Sequence, residues 1–163
     1  MTYGRFEQLP VWQAAIDLAA GVHAMTETPP FRRRYSLRDQ IERAAVSVSN
    51  NIAEGFERGS KQELLTFLYT ARGSVGEVRS MLCLLETIPA FAELASGIVN
   101  LKSSAESISR QLGAWVRTLR DSELKGERYV NDKTRRADMA RKDREEFLME
   151  LKRIRNEGRT GIA

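Results

Sequence analysis

Residues 53–63 read AEGFERGSKQE. Two glycines stand four apart, and Ser60-Lys61 comes after the second, so the stretch has the outline of a phosphate-binding loop. A nucleotide loop of that kind needs G-x-x-x-x-G-K-[ST] between a strand and a helix. Here only three residues separate Gly55 from Gly59, the lysine is displaced, and Gln62 stands where the magnesium-binding hydroxyl belongs. The residues before the stretch have helical periodicity. Its last four, Ser60-Lys61-Gln62-Glu63, form a capping box of the S-x-x-E type. The stretch therefore reads as punctuation between two helices. Gly55 is expected to end the first in a left-handed conformation, Gly59 to make a tight turn, and Ser60 to cap the second. One functional reading remains. A helix N-terminus flanked by Arg58 and Lys61 offers free amides and a positive dipole end to a nucleic-acid phosphate.

Working outward, apolar residues recur at steps of three and four in four segments, the signature of one buried face on each of four helices. The first stripe is Val11, Ala15, Leu18, Val22 and Met25, with Pro10 in a first turn that needs no amide there and Thr28-Pro29-Pro30 closing it. The second is Leu37, Ile41, Ala44 with Ala45, Val48 and Ile52, which Ser36 is expected to cap with Asp39 three residues on. The third is Leu64, Leu68, Ala71, Val75, Val78, Leu82 and Leu85, ending before Pro89. The fourth is Phe91, Leu94, Ile98, Leu101, Ala105, Ile108, Leu112, Trp115 and Leu119. Short links between such helices predict an all-α, antiparallel up-down four-helix bundle over residues 1–121.

Residues 122–163 differ in composition. They carry 12 basic and 9 acidic residues against 14 and 13 in residues 1–121, so most of the +4 formal charge lies there. A thin apolar seam (Ala140, Phe147, Leu148, Leu151, Ile154) predicts a charged, partly helical extension. Three readings are open for it: a solvated helix with pairs such as Arg141–Glu145 and Lys142–Glu146, a helix that docks on a partner, or a basic arm.

The 163 residues are 42% hydrophobic and 29% charged, enough for a real core. No apolar run approaches the ~18 residues of a membrane span. The opening MTYGRFEQLP has no apolar signal segment, which predicts a cytoplasmic protein without membrane contact. Cys83 is the only cysteine and His23 the only histidine. Di-metal bundles need Glu-x-x-His pairs on facing helices, so no metal or cofactor is expected, and catalytic triads fail for the same shortage.

Two groups of polar residues stand out. Gln40, Ser47, Asn51 and Glu54 line one edge of the second stripe, and Gly73, Ser74 and Glu77 a comparable edge of the third. A structural network centred on Asn51, Glu54, Ser74 and Glu77 is expected, because a buried unpaired polar group costs roughly 1–3 kcal/mol. Glu54 and Glu77 lack the accompanying nucleophile or electrophile-binding group that catalysis would need, so no enzyme is expected. The second group is basic. The stretch PPFRRRYSLRDQIER places Arg32, Arg33, Arg34, Arg38 and Arg43 in and after the first link, with Phe31 and Tyr35 among them. Guanidinium groups pair with phosphates and aromatic rings stack on unpaired bases, so the stretch reads as either a nucleic-acid contact or a solvated loop.

The segments QLPVWQAAIDLA, YSLRDQIERAAVSVSNNIAEGFERGSKQELLTFLYTARGSVGEV and SRQLGAWVRTLRDSELKGERY together resemble the bacterial four-helix-bundle proteins encoded in intervening sequences of 23S ribosomal RNA genes. The N-I-A-E-G run and the turn after it carry the likeness, which spans about residues 6 to 129. The resemblance implies a small bundle that assembles into a ring, typically a homopentamer, with no enzymatic activity. Related bundles serve as accessory subunits of reverse transcriptases in diversity-generating retroelements, binding RNA and the polymerase. The resemblance leaves three expectations: an oligomeric RNA-binding bundle, a reverse transcriptase accessory subunit, or a purely structural assembly module. A neighbouring reverse transcriptase gene would single out the second.

Overall fold

The computed structural model describes residues 3–121, and the charged extension expected over 122–163 lies outside them. The described residues are all-α. Four helices, α1 (Pro10–Thr26), α2 (Tyr35–Glu57), α3 (Lys61–Thr87) and α4 (Ala95–Asp121), are accompanied by three short 3-10 turns at Phe6–Gln8, Pro29–Phe31 and Pro89–Leu94. No strand occurs among them.

The apolar stripes build one core. Every stripe residue of α1 and α3 is buried, and so are Ile41, Ala44, Ala45, Val48 and Ile52 of α2. At the start of the second stripe and along the fourth the pattern loosens. Leu37 is half-buried, as are Leu94, Leu101 and Trp115, while Val116 enters the core beside Leu112 and Leu119. Steps of three and four both keep a residue on the apolar face. The larger indole takes the edge and the smaller valine the interior. Truncating one of the fully buried leucines to alanine would cost about 2–5 kcal/mol.

Contacts run α1 to α2, α2 to α3, α3 to α4 and α4 back to α1. Along α2 and α3 the partners change in opposite directions: Gln40 meets Glu77, Ser47 meets Ser74, and Gly55 meets Phe67. Along α3 and α4, Arg72 meets Gly113, Arg79 meets Glu106, and Glu86 meets Lys102.

Three expected boundaries are corrected. The fourth helix begins at Ala95, because Pro89–Leu94 form a 3-10 turn that carries Phe91 into the core separately. The second begins one residue before Ser36, with Arg34 at its N-cap, so Ser36 lies inside the first turn and caps nothing. Most informative is Gly55. It does not end α2, which runs on to Glu57, and neither Gly55 nor Gly59 adopts a left-handed φ. Gly55 is buried where α2 and α3 approach closely: a Cβ there would lie 2.7 Å from Phe67 Cβ. The reason for glycine is proximity, not backbone hand. The cap at Ser60 is as expected. Its Oγ accepts from the Glu63 amide at 3.2 Å and donates to Glu63 Oε2 at 2.7 Å.

Candidate nucleic-acid interface

The link between α1 and α2 is short and built from within. Thr28 Oγ1 donates to the Met25 carbonyl at 2.6 Å and stops α1. Phe31 is fully buried and meets Phe91 with ring centroids 4.7 Å apart. The Arg34 guanidinium lies 5.2 Å from the centroid of that same Phe91 ring and donates to the Pro30 carbonyl. Cation–π contact with a buried ring fixes the side chain in place. Of the three consecutive arginines, Arg34 therefore belongs to the scaffold.

Arg32 and Arg33 differ. Both are exposed, and neither has an acidic partner among the described residues. Tyr35 beside them is 75% exposed. α2 starts here with no side-chain cap, although the first amides of any helix have no intrahelical acceptor. Two uncommitted cations, an open ring and an uncapped helix end thus share one corner.

The remaining basic candidates are engaged. Arg38 donates to Glu27 at 2.5 Å and Glu42 at 2.9 Å. Thr26 Oγ1 also donates to Glu42, and His23 Nδ1 lies 3.4 Å from it. Partial burial works against a charge on Glu42, but the hydrogen bonds from Thr26 and Arg38 outweigh it and hold the carboxyl below its ordinary range. Arg43 pairs with Asp39 at 3.2 Å. Arg58 pairs with Glu54 at 2.7 Å, faces Glu63 at 3.6 Å and lies 5.4 Å from the Phe67 centroid. Lys61 is half-buried and engaged as well. The N-terminus of α3 already holds an anion, the Glu63 carboxylate. Its dipole end and flanking cations are satisfied within the chain, in contrast to that of α2.

Polar side chains meet along the edge between α2 and α3. Asn51 Nδ2 donates to the Ser47 carbonyl at 2.7 Å and to Ser47 Oγ at 3.0 Å. Ser47 and Ser74 hydroxyls share a bond of 2.9 Å, and Gln40 Nε2 donates to Glu77 at 3.3 Å. Glu54 is not part of this chain of contacts, because Arg58, one turn on, takes its carboxylate. Among the described residues no three of His, Cys, Asp and Glu cluster as metal ligands would.

Two features escaped sequence reasoning. The cluster of His23, Thr26, Glu27, Arg38 and Glu42 spans the link, and helical periodicity carries no sign of it. The capture of Arg34 by Phe91 joins residues far apart in the chain.

No single helix among the described residues is long and apolar enough to cross a membrane. Comparison with curated proteins gives no match. The family model described as 23S rRNA-intervening sequence protein matches residues 7–114, which takes in α1, α2, α3, all the links and most of α4. The chain belongs to the 23S rRNA-intervening sequence protein family.

Proposed function

We propose that the chain is a non-enzymatic, homo-oligomeric bundle that binds structured RNA through the corner made by Arg32, Arg33, Tyr35 and the start of α2. Its four helices run up and down in antiparallel order, as the opposed partner sequences along α2–α3 and α3–α4 support. The observation that carries the binding reading is the contrast among the arginines. Arg34, Arg38, Arg43 and Arg58 have partners within the chain, whereas Arg32 and Arg33 are exposed without one among the described residues. Guanidinium groups left open beside uncapped amides suit phosphate oxygens, and Tyr35 suits an unpaired base. Assembly multiplies the effect. Five copies of a +4 chain make +20, a field that draws polyanions with little regard to sequence.

Fluorescence anisotropy with a labelled stem-loop RNA at several salt concentrations tests the site. Arg32→Glu/Arg33→Glu is expected to weaken binding at least tenfold and to flatten the plot of log affinity against log salt by about 1.5, the share of two lost phosphate contacts. Arg43→Gln, already paired with Asp39, changes little. Equal isotherms for the double variant and the parent would remove the corner from the interface. Failure of the parent to bind RNA at all would favour a purely structural assembly module. Light scattering on the parent checks the oligomer, and a monomer would discard the argument from multiplied charge.

A further inference from the structure

Two ion pairs cross the seam between α3 and α4 at successive levels among the described residues. Glu86 meets Lys102 at 2.7 Å, and Arg79 meets Glu106 at 3.0 Å. On α3 a step of seven residues leads from Glu86 to Arg79, and a second leads to Arg72. On α4 the partners advance by four residues from Lys102 to Glu106 and by seven to Gly113, which Arg72 meets. The third rung therefore has its cation and no acid.

What occupies the gap is a second cation. A methyl group placed on Gly113 would lie 3.6 Å from Arg72 Cζ and 3.7 Å from Arg117 Nη1. The two guanidinium groups close over one glycine within about 7 Å of each other, inside the ~8 Å Debye length of physiological salt. Among the described residues neither Arg72 nor Arg117 forms an ion pair, although both other rungs do. Arg110, one turn before Gly113, is exposed and also lacks an acidic partner there. Glu106, four residues before Arg110, is already held by Arg79.

A purely structural seam gains nothing from this arrangement. Like charges held together without an acid repel, and a glycine inside a helix weakens it. An anion between the two guanidiniums converts the repulsion into attraction on both sides, and each planar fork can give it two parallel hydrogen bonds. Gly113 is buried beneath the two side chains, so an anion meets the guanidinium groups and not the glycine itself. Tyr69, 47% exposed, stands one turn before Arg72 and offers a ring face to an unpaired base. Phosphate with a base attached satisfies all of these groups at once.

We infer that Arg72 and Arg117, closing over Gly113, form a phosphate-binding notch that takes a backbone phosphodiester of RNA. The RNA source of that phosphate rests on the function proposed above, while the notch itself does not. It lies on helices other than the α1–α2 corner, so a bound RNA makes two separate contacts with the chain.

Two measurements on the full chain separate these claims. The first titrates pyrophosphate into 15N-labelled protein and follows the Gly113 amide and the Nε–Hε groups of Arg72 and Arg117 by NMR. Saturable shifts at these three positions are expected. Gly113→Glu supplies the missing acid, so it should melt no lower than the parent and lose the shifts. Absence of saturable shifts in the parent, or their persistence in Gly113→Glu, overturns the notch whatever RNA does. The second measurement is RNA binding by anisotropy. Arg72→Gln/Arg117→Gln is expected to lower affinity about tenfold at physiological salt and flatten the salt plot by about 1.5. If the parent binds RNA and this double variant matches it, the notch does not contact RNA. If the parent shows pyrophosphate shifts but no RNA binding, RNA is overturned as the ligand together with the function proposed above.

Discussion

Gly55→Ala should destabilise the bundle although alanine is the better helix former. The added Cβ would lie 2.7 Å from Phe67 Cβ and 3.3 Å from Leu64 Cδ1. Carbon atoms settle at about 3.5–4.0 Å, so the first contact is roughly 1 Å too short. Both Cβ atoms are fixed to their backbones, so no rotamer relieves the clash and α2 and α3 must part. Overpacking of this kind costs about 1–3 kcal/mol, and better helix propensity returns at most about 1 kcal/mol. A net loss of about 1–2 kcal/mol lowers the melting temperature by about 3–6 °C for a chain of this size. Gly76→Ala is the internal control. Nothing lies within 4 Å of the position of its Cβ, and its φ is not left-handed, so it should stabilise by about 0.5–1 kcal/mol. Thermal melts followed by circular dichroism at the helix band give both signs in one experiment. Gly55→Ala melting at or above the parent would mean that the two helices do not approach as closely as the structure places them.

Local geometry sets two further outcomes. Ser60→Ala removes the acceptor of the Glu63 amide and should lower the urea midpoint by an amount equivalent to about 1 kcal/mol with an unchanged slope, whereas Ser60→Gly loses only a few tenths. Glu42 titrates below its ordinary range in the folded chain, so its contribution is present above the unfolded carboxylate pKa and fades as pH falls through the lower folded value. Glu42→Gln should therefore cost about 1–2 kcal/mol at pH 7 and converge with the parent in acid; a constant gap between their stability–pH curves would refute that role.

Much of the fold was legible because helix periodicity is a local property. Val11 to Met25 and Leu64 to Leu85 alternate threes and fours without interruption, and each stripe is buried in full. Ser60 could be identified as a cap because the residue it serves, Glu63, is three positions away. Gly55 was misread for the opposite reason. Its neighbour Phe67 lies on the next helix, and the sequence offered only the commoner use of a glycine near a helix end. The start of α2 was displaced from Ser36 because Arg34, drawn to the Phe91 ring on another link, anchors the entry to the helix.

The basic site divides along the same line. Sequence alone identified a cluster of arginines around Arg32 to Arg43 and near Arg58. It could not identify which of them were already engaged, since Glu27 for Arg38 and Phe91 for Arg34 lie across a link or on a different element. Nor did it mark Arg72 and Arg117, which stand on two separate helices until packing brings both over Gly113. What the sequence by itself determined was four amphipathic helices and where the first and third of them stop, because periodicity and chain-breaking prolines act within a few residues. The tertiary structure alone decided which glycine is a contact and which arginines lack an acidic partner among the described residues, because those depend on partners that only packing brings within a few ångströms.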